Sequence, residues 1–315
     1  ITRGGLRVHK AAGKVRQLEA TLPKRMKATV GIAHTRWATH GSPTTANAHP
    51  HLDCHGHLAV VHNGIVENAT RLRTELVAQG HVFRSETDTE VLVHLIEASP
   101  GPDLAERTRQ ALLRVDGTYG LAVVDDREPD GLVVARNGSP VVLGVGEHEM
   151  FVASDVAALV RHTRQVIYLD DREIALVKAS GFRTVTFDAE PRNKTPAAVG
   201  WEDESYDRGP HPHFLLKEML EQPEACERTL KGRLDRQFGT AHLGGLNLTA
   251  RELLAVRRIK ILGCGSAYYA GLMGAHLIES LARVPTDAEP ASEFRYRNPV
   301  IDADTLYVAV SQSGE

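Results

Sequence analysis

Three short segments gather groups that could act together on a small amino acid: His34-Thr35-Arg36-Trp37-Ala38-Thr39-His40-Gly41, Asn47-Ala48-His49-Pro50-His51 and His62-Asn63-Gly64. The guanidinium of Arg36 can hold a carboxylate through two parallel hydrogen bonds. Asn63 offers a side-chain amide N–H and Gly64 a backbone N–H, the kind of donors that steady a developing oxyanion. Acyl transfer on a bound amino acid needs these parts. Trp37 taken singly reads as a core residue. The whole set does not, because packing alone has no use for so many polar groups so close together.

Further motifs follow in order: Ser85-Glu86-Thr87-Asp88-Thr89-Glu90, Asp116-Gly117-Thr118-Tyr119-Gly120, Ala153-Ser154-Asp155, Lys217-Glu218, Glu221-Gln222-Pro223, Leu262-Gly263-Cys264-Gly265-Ser266, Ala291-Ser292-Glu293-Phe294-Arg295-Tyr296-Arg297 and Ser311-Gln312-Ser313-Gly314-Glu315. This series resembles the class II (N-terminal nucleophile) glutamine amidotransferases, and among them the members that also carry a sugar isomerase (SIS) domain. The resemblance runs along nearly the whole chain. It implies that Arg36 and Asp88 grip the α-carboxylate and α-amino groups of glutamine, as a zwitterion needs one cation and one anion. Asp88 also suits a second task, as an acid at a helix N-terminus. Trp37, Thr39 and His40 would line the pocket, and Asn63 and Gly64 would form the oxyanion hole. The family's nucleophile, a cysteine at the N-terminus whose own amine serves as base, has no match here. Ile1 does not fit it and Cys54 lies in a polar turn, so this chain by itself is expected not to hydrolyse glutamine.

The second candidate site is the loop Gly263-Cys264-Gly265-Ser266. As a dinucleotide fingerprint it fails, for the third glycine is missing. As a sugar-phosphate loop it fits, since hydroxyls and backbone N–H groups at a helix N-terminus suit a phosphate monoester. Ser311, Gln312 and Ser313 should join Ser266 at the same crevice of a parallel sheet. Ala267 departs from the hydroxyl residue usual in the family, and Cys264 reads as a small packed residue.

The resemblance implies hydrolysis of glutamine in one domain and transfer of ammonia through an internal channel to fructose 6-phosphate in the other, giving glucosamine 6-phosphate and glutamate. It implies no cofactor, and a homodimer formed through the isomerase domains. Competing readings are an amidophosphoribosyltransferase, an asparagine synthetase, or a sugar-phosphate-binding regulatory protein with a degenerate glutaminase domain. The loops after Ile259 argue against the first two. His49, His51, Cys54, His55, His57 and His62 crowd together at a density that can suit zinc, but no Cys-x-x-Cys or His-Glu-x-x-His spacing is present. The resemblance places His49, His51 and His62 in a metal-free fold, and no metal is expected.

These groups need a scaffold. The 315 residues are long for one core and suit two domains. Leu58-Ala59-Val60-Val61, Leu121-Ala122-Val123-Val124, Leu132-Val133-Val134-Ala135 and Val141-Val142-Leu143 read as strands. Asn68 should cap a helix carrying Leu72 and Leu76. Thr87-Asp88-Thr89-Glu90 should form a capping box for a helix burying Val91, Leu92, Leu95 and Ile96, and Leu104 to Val115 a third helix. The pattern predicts α+β for the first domain, and the resemblance implies its αββα sandwich. Residues 1–189 are assigned to this glutaminase domain and 190–245 to a linker and helical connection, with a helix from Phe214 to Leu230. Residues 246–315 open a doubly wound α/β SIS domain: strand Ile259–Leu262, the glycine loop, helix Ala270–Ala282 and strand Thr305–Val310. Leu6-Arg7-Val8-His9 reads as one arm of a hairpin, and the sequence as cut at both ends.

Composition narrows the partners. With 42% hydrophobic and 24% charged residues the chain is an ordinary globular one. A net charge of −3 gives no reason to expect nucleic acid or an anionic membrane as partner, and no apolar run approaches the length of a membrane span. The cysteines Cys54, Cys226 and Cys264 are odd in number and far apart, which argues against a disulfide framework and for the cytoplasm.

Overall fold

The computed structural model describes residues 1–36, 41–199, 209–235, 239–241, 246 and 248–311. The chain divides into two compact units, Ile1–Pro210 and His211–Glu315.

The first unit starts with a short helix α1 (Val15–Glu19), followed by β1 (His51–Leu52), β2 (Leu58–Val66), α2 (Ala69–Ala78), α3 (Thr89–Ala98) and α4 (Leu104–Leu112). Strands then run almost without interruption: β3 (Gly117–Asp125), β4 (Gly131–Asn137), β5 (Val142–Val145), β6 (Met150–Ala153), β7 (Gln165–Tyr168), β8 (Glu173–Lys178), β9 (Gly181–Thr186), β10 (Pro191–Arg192) and β11 (Ala197–Ala198). They form two antiparallel sheets, one ordered β1-β2-β3-β4-β8-β9-β10 and one ordered β11-β7-β5-β6. Burial explains the layering. Leu58, Val60, Leu121 and Val123 face α2, α3 and α4, whereas Val61, Ala122 and Val134 face Val141, Leu143 and Ile167 of the second sheet. Strand β2 therefore has apolar residues on both faces, as a strand between two layers must. Over the outer face of the second sheet lie Val156, Leu159 and Val160 from a short 3-10 turn. The sandwich has the expected order, and among the described residues its outer layer is reduced to this turn.

Helix α3 is buried on every side from Thr89 to Ile96, wedged between β2, α2 and α4. Spacing marked only Val91, Leu92, Leu95 and Ile96; the surrounding helices also cover Val93, Glu90 and His94. Its N-terminus departs from the capping box. Thr87 Oγ1 accepts from the Glu90 backbone N–H at 3.3 Å, but the Glu90 carboxylate turns back to the backbone N–H groups of Arg84 and Ser85, both at 2.7 Å. Asn68 does not cap α2 through its side chain. Its amide spans to the loop before β3, accepting from Asp116 N at 3.2 Å and donating to Arg114 O at 2.9 Å. Helix α4 ends at Leu112, short of Val115, and Leu6 to His9 form no strand.

The second unit contains α5 (Phe214–Leu230), the ribbon of β12 (Leu234–Asp235) and β13 (Thr240–Ala241), α6 (Ala250–Ala255), β14 (Arg258–Gly263), α7 (Ser266–Ala282), β15 (Thr286–Pro290), α8 (Ala291–Arg297) and β16 (Thr305–Ala309). Strands β15, β14 and β16 are parallel, with β14 in the middle. Helix α7 begins at Ser266, four residues before the expected Ala270. Gly265, at φ +56°, makes the turn that lets the helix start at once. Strand β15 escaped the sequence reading because Thr286-Asp287-Ala288-Glu289-Pro290 has no apolar run; pairing with β14 creates it.

Candidate active site

Strand β2 holds the first half of the site. Its residues are buried from Leu58 to His62, and the chain then turns Asn63 outward. Asn63 lines a cavity of about 600 Å³ with His34, Thr35, Gly120, Val141, Phe151 and other residues of the two sheets. Gly64 has φ +142°, and a Cβ there would lie 2.0 Å from the Thr118 carbonyl oxygen of β3. Only glycine lets the two strands approach this closely at the end of the ladder.

Asp88 comes from the other side, at the N-terminus of α3, and is tied to the same strand. Its Oδ2 accepts from the Val66 backbone N–H at 2.9 Å, two residues past Gly64. The neighbouring Thr89 Oγ1 lies 3.0 Å from His62 Nδ1, while His62 Nε2 lies 3.3 Å from the Thr118 carbonyl. His62 thus joins β2, β3 and α3, and burial lowers its pKa.

Arg36 sits beside a row of imidazoles. The rings of His34 and His49 are 4.4 Å apart, and those of His49 and His51 are 5.1 Å apart. Burial first, and then the neighbouring imidazoles and Arg36, push His49 down to about 2 and His34 to about 4. His51 falls to about 4 through burial and Lys10. These rings are neutral near pH 7, so they line the site without competing with Arg36 for an anion. Arg36 and Asp88 act on His51 with opposite signs.

A second set of contacts escaped the sequence reading. Asn47 Nδ2 donates to the Ser42 carbonyl at 3.0 Å and to Glu86 Oε2 at 3.1 Å, and its Oδ1 accepts from the Glu86 N–H. His51 Nε2 lies 3.0 Å from Thr87 Oγ1. These bonds clamp the Asn47–His51 segment onto the approach to α3. Both partners lay in motifs the sequence singled out, Asn47–His51 and Ser85–Glu90, but nothing in the sequence joined the two. Trp37, Thr39 and His40 lie outside the described residues.

The five clustered histidines and Cys54 do not converge on one point. His57 pairs with Asp126 at 2.8 Å, and His62 and His51 go to threonines. Cys54 turns instead toward His81, His94 and Glu97.

In the second unit, β14 and β16 are parallel neighbours with Leu262 opposite Ala309, and Val310 N donates to the Leu262 carbonyl at 2.8 Å. Ser266, at the start of α7, and Ser311, just past β16, therefore leave the sheet at the same edge. Gln312 and Ser313 lie outside the described residues. Cys264, read as packed, is exposed because it occupies the loop above the strand end.

A family model for a glutamine amidotransferase domain matches residues 34–161, and one for a SIS domain matches residues 252–315. The two matches fall on separate stretches of the chain, one in each compact unit. All of it aligns with curated proteins named glutamine–fructose-6-phosphate aminotransferase (isomerizing). It is 45% identical to that of Chlorobaculum tepidum over 53% of the relative's length. The proteins of Symbiobacterium thermophilum and Streptomyces coelicolor are 47% and 46% identical, each with 52% of its length covered. The chain is similar to these aminotransferases and spans about half the length of those it matches.

Proposed function

We propose that the protein carrying this sequence transfers the amide nitrogen of glutamine to fructose 6-phosphate, with isomerisation, to give glucosamine 6-phosphate and glutamate. The carrying observation is the unbroken similarity of both domains to aminotransferases of that name. Residues 1–189 form the glutaminase domain, 190–245 the connection and 246–315 the start of the SIS domain. Arg36 binds the α-carboxylate of glutamine and Asp88 its α-ammonium. In support, Asp88 Oδ1 makes no hydrogen bond to a described residue while Oδ2 is anchored on Val66. Trp37, Thr39 and His40 complete the pocket wall. Asn63 and Gly64 donate to the oxyanion that forms as the amide is attacked, a service worth about 3 kcal/mol per donor. Ser266, Ser311, Gln312 and Ser313 hold the sugar phosphate at the edge where α7 begins.

The protein acts in the cytoplasm as a homodimer joined through its isomerase domains. The free cysteines fit a reducing compartment, and no helix among the described residues is long and apolar enough to cross a membrane. The test is isotopic. The full-length protein, given amide-15N glutamine and fructose 6-phosphate, should place the label in glucosamine 6-phosphate. Glutamate release without label in any amino sugar would overturn the assignment.

A further inference from the structure

Cys54, His81, His94 and Glu97 come from three separate parts of the first unit. Cys54 lies in the turn between β1 and β2, His81 follows α2, and His94 and Glu97 stand one turn apart on α3. Their ligand-type atoms nevertheless converge. Cys54 Sγ lies 3.6 Å from Nδ1 of His81 and 3.6 Å from Nδ1 of His94, and the two Nδ1 atoms are 3.4 Å apart. Glu97 Oε2 is 2.9 Å from His81 Nδ1 and 3.2 Å from His94 Nδ1. All four atoms fall within 4.8 Å of one another.

The spacings among Cys54 Sγ and the two Nδ1 atoms are those of one face of a small tetrahedron, with Glu97 Oε2 drawn in toward His81 at 2.9 Å. Zinc bonds of about 2.0–2.1 Å to nitrogen and about 2.3 Å to sulfur, at tetrahedral angles, set N–N edges near about 3.4 Å and N–S edges near about 3.6 Å. A hydrogen-bonded cluster accounts for them less well. If both Nδ1 atoms carry protons for Glu97, that one carboxylate must also take the Cys54 backbone N–H, at 3.3 Å, and the Cys54 thiol, four donors in all, while the Val82 N–H points to the sulfur at 3.5 Å. If either Nδ1 is bare, its lone pair points at the other members of the group. A divalent cation at the centre satisfies all four lone pairs at once.

We propose that Cys54, His81, His94 and Glu97 form a structural zinc site. The donor set of one thiolate, two imidazoles and one carboxylate in tetrahedral array suits zinc above the harder cations, which prefer oxygen. Four protein ligands leave no open position, so the role is structural. The surroundings agree. His94 is 1% exposed, and its Nε2 has no hydrogen-bond partner, with Glu90 Oε1 at 3.8 Å on that side. Coordination through Nδ1 fixes the proton on Nε2 and turns it toward this carboxylate. His55 Nε2 stands 3.7 Å from the other Glu97 oxygen. Binding releases the thiol proton to solvent. The ion would pin α3, which carries Asp88 at its start, to the turn and to the segment after α2. The proposal is independent of the glutamine assignment.

The test is metal analysis of the purified chain after exhaustive dialysis against a weak chelator, followed by titration of the stripped chain with Zn²⁺ and with Co²⁺. About one zinc per chain should be retained. The cobalt form should show a thiolate-to-cobalt charge-transfer band with the strong visible bands of a tetrahedral ion. Stripping should lower Tm by more than about 5 °C, restored by added Zn²⁺. Cys54→Ser should abolish the charge-transfer band, and His81→Gln, at a part-exposed position, should weaken zinc binding about a hundredfold or more. Circular dichroism checks that both variants fold. A stripped chain that neither binds Zn²⁺ nor changes Tm with it would overturn the proposal. So would zinc retention unchanged in both folded variants, which would put the ion elsewhere.

Discussion

Gly64→Ala should destabilise the first unit far more than a comparable change at Gly181. Both glycines have nearly the same backbone conformation, φ +142° and φ +143°. Forcing alanine into such a region costs about 1–3 kcal/mol at either position. Their surroundings differ. Around Gly181 nothing lies within 4 Å of the added Cβ. At Gly64 that Cβ would meet Thr118 O at 2.0 Å, Thr118 C at 2.6 Å and Tyr119 Cα at 2.9 Å, all of them backbone atoms of the adjacent strand. No rotamer change relieves that overlap, so β2 and β3 must separate, which costs about 1–3 kcal/mol more. At about 2–4 °C per kcal/mol for a unit of this size, Gly181→Ala should lower Tm by about 5 °C and Gly64→Ala by about 10 °C. Differential scanning calorimetry of the two variants isolates the steric contribution as their difference. If the two melt within about 2 °C of each other, the strand contact at Gly64 is not what demands glycine, and the rigid oxyanion corner built on it loses its basis.

In the full-length protein, Asn63→Ala should reduce glutamine turnover about a hundredfold with a smaller change in KM, because the donor acts on the transition state; a steady-state glutaminase assay decides. Arg36→Lys should weaken glutamine binding about tenfold or more, since an ammonium cannot form the bidentate fork. Asp88→Asn should weaken it too by losing the ammonium partner, and unchanged affinity for both by calorimetry would move the ligand elsewhere. Stability should fall as pH drops from about 6.5 toward 4. His34, His49 and His51 have folded pKa values below the unfolded value, at about 4, 2 and 4. The unfolded chain therefore takes up protons that the native one refuses, at up to about 1.4 kcal/mol per pH unit for each ring. His49→Gln should flatten urea-unfolding stability across that window, and an unaltered slope would count against a neutral His49. Ser266→Ala should raise the KM for fructose 6-phosphate about tenfold with kcat little changed, and an unmoved KM would remove Ser266 from the phosphate site.

Residue types that suit the proposed chemistry, and most of the elements that carry them, were legible in the sequence. Arg36, Asn63 and Gly64 stood out through local chemistry, and Asp88 through the resemblance of its motif. The strands from Leu58, Leu121 and Leu132 and the helix from Phe214 to Leu230 stood out through runs and spacing that any neighbour would satisfy. The α/β turn at Gly263–Ser266 was legible for the same reason: a glycine, a hydroxyl and an apolar strand are local facts. The tertiary structure decided what those facts were for. Hydrogen bonds between distant segments tied Asp88 to Val66, spent the return half of the expected capping box on Arg84 and Ser85, and drew Asn68 away from its helix. Strand β15, with no apolar run, exists because β14 offers a partner. The convergence of Cys54 with His81, His94 and Glu97 belongs to the same class. His81, His94 and Glu97 drew no notice in the sequence, and the thiol comes from a turn forty residues earlier than His94. Sequence proximity grouped Cys54 with the wrong histidines. Only the packing of α2 and α3 against β2 could select the right ones, because a ligand set is defined by distances of a few ångströms, not by separation along the chain.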